Sequence, residues 1–320
     1  PSANLNTVEF SGVRAGTTKP KSCAIDRSTA PSGTRSRNMR ALITLTTDFG
    51  LRDSYVAQLK GVLYSRGPSS IEVVDLSHEI EAHDVREAAL FVRAAWPRFP
   101  PGTIHLVVVD PGVGSARRAI AAERDGQFML GPDNGVLPLG VPDRAAGQRT
   151  RAIDVQRLGA LAESAPAPRG GAAEAASAQR GSAGAISATF HGRDVFAPAA
   201  ALLAAGQPLS ALGEPLSDWV SLALPSPRRE AAAIRGEIIH VDRFGNLISN
   251  LSRADLLPGA QIRLAGGPPL SLVSHYAEAP PGAAVALIGS SELLEIAVQN
   301  ASAQAATGAK LGDPITIEPP

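Results

Sequence analysis

The chain has a single cysteine, Cys23, which excludes an intrachain disulfide framework and any zinc cluster built on thiolates. It also lacks an excess of charge of either sign: 30 Lys and Arg balance 30 Asp and Glu, a formal net charge of zero at pH 7. Without a basic excess, no bulk counterion release drives nucleic-acid binding, and no acidic tail is present. Mean hydropathy is +0.03, yet no apolar run approaches the roughly 18 residues that span a bilayer. No secretory h-region is found near the start. These absences point to a soluble, globular, cytoplasmic protein whose charges work locally. A length of 320 residues suits two domains, at about 150 residues for each.

Several catalytic signatures are missing too. There is no G-x-S-x-G elbow, no G-x-G-x-x-G fingerprint after a strand and no P-loop lysine. His78, His83, His105, His240 and His275 show no metal-ligand spacing, so no metal is expected. Asp48-Phe-Gly50 matches the kinase metal-binding tripeptide and Arg193-Asp194 part of a catalytic loop. A kinase, however, needs a Gly-rich loop and a strand lysine upstream, where this chain has only residues 1–40.

Those residues are rich in Ser, Thr, Arg, Gly and Pro without periodicity, and read as a disordered extension; Met39, just before the first strand, is a candidate natural start. From Ala41 an α/β pattern begins. Residues 41–47, 71–76 and 104–109 read as buried strands, with helices between them carrying Val56, Leu59, Val62 and Leu63, then Val85, Ala88, Ala89 and Val92 behind an Asp84 cap. This alternation predicts a mostly parallel sheet with crossover helices, in an N-terminal α/β domain over 41–207. Within it, residues 159–188 carry too little apolar area to offset their ordering entropy and are expected to form a flexible insertion. The Pro-punctuated stretch 208–230 reads as a linker. Closely spaced short strands over 231–320 predict a smaller all-β, barrel-like C-terminal domain.

Ligands of such sheets collect at the carboxyl ends of the strands, where Asp48 and Asp110 lie. Asp48 reads as a turn cap or as a carboxylate for a ribose diol. Asp110-Pro-Gly-Val-Gly114 with Arg117 forms a tight turn that can bring guanidinium to carboxylate, as a structural salt bridge or a catalytic pair. His191 stands in a chemically dense Phe-His-Gly-Arg-Asp string beside the low-complexity segment. Asp133-Asn-Gly135 reads most simply as a hairpin turn. Asp242 to Asn246 ends a strand, and its Asn amide suits either a turn or the edge of adenine.

Taken together, these strings resemble one family, the S-adenosylmethionine hydrolases or hydroxide adenosyltransferases, relatives of the fluorinating and chlorinating enzymes. The resemblance runs from about Leu42 to Ile317. It is carried by Ile43-Thr-Leu-Thr-Thr-Asp-Phe-Gly50, Val109-Asp-Pro-Gly-Val-Gly114 with Arg117-Arg118, Gly131-Pro-Asp-Asn-Gly135, Thr189-Phe-His-Gly-Arg-Asp-Val-Phe196, Phe244-Gly-Asn246 and Leu294-Glu-Ile-Ala-Val298.

The resemblance implies hydrolysis of S-adenosyl-L-methionine to adenosine and L-methionine without metal or other cofactor, by a homotrimer with active sites between subunits. The family's water-activating set falls on Asp110, Arg117 and His191. Asp48 matches the ribose carboxylate, Asn246 an adenine contact, and Ser290, Glu295 and Val298 further adenosine contacts, while Asp242 is expected to hold the methionine amine. His191 is the expected base, with Asp110 orienting water and Arg117 locking that carboxylate, although His191 and Asp110 can exchange roles. The alternatives are 5′-halogenation of the same substrate and a non-catalytic sensor of adenosine or S-adenosylmethionine. Halogenating relatives carry a tyrosine-type residue where Asp110 stands and an extra loop near Ala121. Both departures favour hydroxide over halide. Gly192, a serine in the fluorinating enzyme but glycine in the chlorinating ones, weighs against fluoride. A pure binder has no need of the intact Asp110, Arg117 and His191 set.

Overall fold

Alternating side chains on the central strands explain the first layer of the structure, a computed structural model describing residues 41–137, 149–164, 186–222 and 225–320. In β3 (Ile104–Val108), Ile104, Leu106 and Val108 pack to one side with Ile43 and Leu45 of β1 (Leu42–Thr47). Val107 and its neighbour Val109 enter a separate cluster on the opposite side. A strand buried on both faces reads as a continuous apolar run, and helices cover each side. On the first side lie α1 (Tyr55–Arg66), through Leu59 and Leu63, and the later α4 (Ala197–Ala204), whose alanines permit close approach. On the second lies α2 (Val85–Ala95), which presents Ala88, Ala89 and Val92. As expected, Asp84 caps α2, accepting from the backbone N–H groups of Arg86 and Glu87 at 2.9 Å.

The sheet is completed by β2 (Glu72–Ser77), β4 (Ala119–Arg124), β5 (Gln127–Pro132) and β6 (Arg149–Ala152), in the order β2-β1-β3-β5-β4-β6. Its β1–β2, β1–β3 and β3–β5 pairings are parallel, while β4 runs antiparallel to β5 and β6. The mostly parallel α/β expectation therefore stands, with one reversed strand. Thr47 pairs with Val108, so Asp48 and Asp110 emerge from the carboxyl ends of adjacent strands.

After Pro225 the chain forms a second sheet from β7 (Arg228–Glu230), β8 (Ala233–Val241), β9 (Leu247–Ser252), β10 (Gln261–Leu264), β11 (Pro269–Leu272), β12 (Ala284–Ile288), β13 (Leu293–Val298) and β14 (Pro314–Glu318). Pairing of β14 with β8 closes the ring β8-β9-β13-β12-β11-β10-β14, and β7 extends from β8 outside it. Closure removes the sheet edges and encloses Ile238, Leu251, Ile262, Ile296 and Ile315. A short α5 (Ala303–Thr307) precedes β14, capped by Ser302 and ended by Gly308 in the left-handed region.

Two expectations need redrawing. The start of the segment 159–188 is helical: α3 (Val155–Ser164) runs into it, with Leu158 in the core. Its residues 165–185, like the extension 1–40 with Cys23 and Met39, lie outside the described residues. The presumed linker is packed for much of its length. Leu209 and Leu212 join the first core cluster, and Leu216, Trp219 and Leu222 cover the second, because the stretch carries an apolar side chain every few residues between its prolines. Among the described residues, no helix is long and apolar enough to cross a membrane.

Leu106 has no exposed surface. Leu106→Ala is expected to lower stability by about 2–5 kcal/mol, measured as a lower urea midpoint with an unchanged slope.

Candidate active site

At the end of β1, Asp48 accepts the backbone N–H of His83 at 2.9 Å, and its side chain is 11% exposed. His83 adopts a positive φ of 71°, which turns that N–H toward the carboxylate. The β1 turn is also tied from below: His78 Nδ1 lies 2.8 Å from Thr47 Oγ1, and the His78 carbonyl accepts the Gly50 N–H at 2.7 Å. Asp48 is thus a fixed acceptor at a strand end, which suits a diol.

One strand over, Asp110 and Arg117 form a bidentate pair. Arg117 Nε donates to Asp110 Oδ1 at 2.8 Å and Nη2 donates to Asp110 Oδ2. Their side chains are only 6% and 9% exposed, so neither charge has much water and each depends on the other. The same Nη2 donates to His191 Nδ1 at 2.9 Å. The three residues singled out from sequence are therefore in direct contact through one guanidinium.

His191 reaches this place through local geometry. It precedes a single π-helical turn, Gly192–Phe196, that leads into α4. Such turns insert an extra residue and re-aim the chain, often at functional sites. Gly192 fits under Val108, Phe190 and Phe49, where an added Cβ would fall 3.2–3.4 Å from their side chains. Gly114, at φ +80°, is stricter, since a Cβ there would lie 2.5 Å from the Ala188 carbonyl oxygen. The aspartate loop and the histidine segment interlock at that glycine. Arg193 and Asp194 pair with each other through bonds of 2.7 and 2.9 Å, and Asp194 accepts the Ser187 N–H. They stabilise the segment and do not form a catalytic loop. Phe49, Tyr55 and Phe190 build an aromatic wall beside it, with ring centroids 5.3–5.8 Å apart.

The remaining candidates gather elsewhere. Asp242, Asn246, Ser290, Glu295 and Val298 line one cavity of about 1390 Å³ between the barrel and α2, whereas Asp48, Asp110, Arg117 and His191 are not in its lining. Asp242 Oδ1 accepts the N–H groups of Phe244 and Asn246, and Oδ2 accepts Asn246 Nδ2, all at 2.9 Å. That leaves Asn246 with its carbonyl oxygen and one amide hydrogen. Glu295 is buried, which raises its carboxyl above the usual range, as does nearby Asp242, while the Tyr276 hydroxyl donating to Oε1 at 2.7 Å opposes the shift. Burial, followed by the bond to Glu295, pushes Tyr276 up to about 12.

Two residues that the sequence reading gave no role also face this cavity. Tyr276 and Phe244 line the cavity with 46% and 77% of their surface exposed. Phe244 sits in a turn and Tyr276 opens a single 3-10 turn, and the one available signal was an aromatic with no core face to occupy. The Asp133-Asn-Gly135 reading is overturned as well. These residues follow β5 without forming a hairpin; Asp133 is 5% exposed and bonded to Arg118, and Asn134 to the Val109 carbonyl. Local turn chemistry was legible there, but partners distant in sequence were not. Among the described residues, no group of three or more His, Cys, Asp or Glu is placed to hold a metal.

Comparison with known proteins fits this geometry. Residues 43–213 match the model of the SAM hydroxide adenosyltransferase N-terminal domain, and residues 236–316 that of its C-terminal domain. A relative from Thermus thermophilus, named (R)-S-adenosyl-L-methionine hydrolase, is 42% identical over 85% of this chain and 97% of its own. A Salinispora tropica protein of the same name is 36% identical over 86% and 97%. A fluorinase from an Actinoplanes species is more distant, at 29% over 68% and 74%. Among solved structures, an uncharacterized conserved protein from Thermotoga maritima superposes with a TM-score of 0.73 at 31% identity, covering 87% of this chain and all of that one. The chain belongs to the SAM hydroxide adenosyltransferase family.

Proposed function

We propose that the protein hydrolyses S-adenosyl-L-methionine to adenosine and L-methionine, with Asp110, Arg117 and His191 acting on the attacking water. The observation that carries this reading is the contact of all three through one guanidinium, beside the strand-end carboxylate Asp48. A water oxygen bonds to ribose C5′ as the C5′–S bond breaks, and its electron pair passes to sulfur, which leaves as a neutral thioether. Because the leaving group departs from a cation, no Lewis acid is needed. The task left to the protein is to aim the water and take its proton.

The hydrogen-bond pattern supports a division of that task. Arg117 Nη2 has two hydrogens, one given to Asp110 and one to His191 Nδ1. A neutral His191 that accepts at Nδ1 carries its proton on Nε2, so it donates to the water and cannot accept from it there. Asp110 has lone pairs to spare beyond its bonds to Arg117. We therefore assign the proton to Asp110 and the aiming to His191, the reverse of the expected roles.

The cavity supports the rest of the assignment. Asp242 would take the methionine amine, Asn246, Ser290, Glu295 and Val298 the adenosine, and Phe244 and Tyr276 offer faces for a flat base. Since this cavity and the catalytic three are separate within one chain, we propose that a neighbouring copy joins them, in a homotrimer with inter-subunit sites. A cytoplasmic location belongs to the same proposal, because a charged substrate does not cross a bilayer unaided.

Asp110→Ala and His191→Ala are each expected to lower kcat by about 10²–10⁴-fold, followed by chromatography of adenosine; equal rates in wild type and variants would refute the assignment. A chelator leaves the wild-type rate unchanged, and added chloride or fluoride yields no dominant 5′-halo nucleoside. Burial, then Arg117, holds the His191 imidazole below its ordinary 6.5. Its neutral form therefore persists as pH falls to 6.5, and the rate falls only below that value, in a kcat/KM profile. For sites between subunits, mixing Asp110→Ala with Asn246→Ala protomers restores about a quarter of wild-type activity; sites within one chain restore none.

A further inference from the structure

The Gly131-Pro-Asp-Asn-Gly135 string is a motif that the catalytic scheme leaves without a role. Asp133 donates its backbone N–H to the Arg118 carbonyl at 2.9 Å, extending the β4–β5 ladder by one pair. Its carboxylate accepts Arg118 Nε at 2.7 Å through Oδ2 and the Val220 N–H at 2.8 Å through Oδ1. Arg118 continues to Asp218, whose Oδ1 lies 3.2 Å from Nη1. Asn134 Nδ2 donates to the carbonyl of Val109 at 2.9 Å, while its Oδ1 accepts the Val136 N–H. Arg118 and Val109 are the immediate chain neighbours of Arg117 and Asp110.

We propose that Asp133 and Asn134 are positioning residues that hold the backbones of Arg117 and Asp110 at the separation their bidentate pair requires. Successive side chains of an extended chain point to opposite sides. Fixing Arg118 toward Asp133, by backbone and side chain together, commits Arg117 to the other side, where Asp110 and His191 lie. Asn134 fixes the Val109 carbonyl, just past the end of β3 and directly before Asp110, so the two partners are set from one dipeptide. Asp133 is 5% exposed, and each of its carboxylate oxygens already accepts a bond, one from Arg118 and one from Val220. It acts through Arg117 and does not touch the reacting atoms. The segment carrying Asp218 and Val220 is anchored to the same carboxylate network.

This inference rests on the hydrolase reading, and its test separates the two. Asp133→Asn and Asn134→Ala are compared with wild type after circular dichroism confirms a folded sheet; where one variant fails to fold, the other carries the test. The expected result is a kcat lower by about 10- to 100-fold with KM nearly unchanged, the scale of a catalytic group misplaced by about an ångström. The acid limb of the rate profile also moves up toward 6.5, because a displaced Arg117 no longer holds His191 down. In an Arg117→Ala background the same substitutions produce no further loss, whereas general loosening of the fold would still lower the rate. A crippled Arg117→Ala beside wild-type rates and an unshifted limb in both brace variants overturns the brace alone. A wild-type rate in Arg117→Ala overturns the catalytic reading and the brace with it.

Discussion

The guanidinium of Arg117 is the constraint on which the site depends. Its Nε and Nη2 point to one carboxylate, and the second Nη2 hydrogen points to an imidazole nitrogen. A planar fork with fixed donor directions cannot satisfy three acceptors unless its backbone, the aspartate loop and the histidine segment are held to within about 0.5 Å. Much of the surrounding structure serves that need. The β1–β3 register sets the strand ends level, Gly114 lets the loop touch Ala188, and the π-helical turn brings His191 back to the sheet. Removing either partner would leave a nearly buried charge uncompensated, a larger loss than the net worth of the pair.

Features carried by neighbouring residues were legible in the sequence. Strand ends announced themselves as apolar runs closed by Asp48-Phe-Gly50 and Asp110-Pro-Gly112, and the barrel as short apolar strands at close spacing. The Asp110 to Arg117 turn was short enough to imply contact. His191 required the motif, because seventy-odd residues separate it from Arg117 and no periodicity spans such a gap. Asp133-Asn134 was misread for the opposite reason: its turn chemistry is local, but its hydrogen-bond partners at Arg118, Val109 and Val220 are not. The 208–230 stretch shows the same limit. Prolines advertise a break in regular structure, yet Leu209, Leu212 and Trp219 pack regardless of it.

The absence of net charge in the whole chain takes on a local meaning at the site. Asp110 and Arg117 cancel, and His191 is held neutral by burial and by the guanidinium, with Asp110 and Asp194 opposing that shift. Together these three groups therefore present no net charge. On the proposed assignment, attraction for a sulfonium substrate comes from carboxylates outside these three, namely Asp48 at the strand end and Asp242 and Glu295 in the cavity.

This arrangement suits the reaction in a way that a charged trio would not. A positive group about 5 Å from the sulfonium would raise its energy by about 3 kcal/mol at an effective dielectric near 20. As the C5′–S bond breaks, the positive charge leaves sulfur and reappears with the proton of the attacking water. In the proposed mechanism the Asp110 carboxylate meets that charge where it arises, and the paired Arg117 keeps the carboxylate oriented without adding repulsion to the substrate. Burial therefore also acts on the imidazole. It keeps His191 from gaining a charge that would oppose substrate binding and, through Nδ1, break the bond to Arg117.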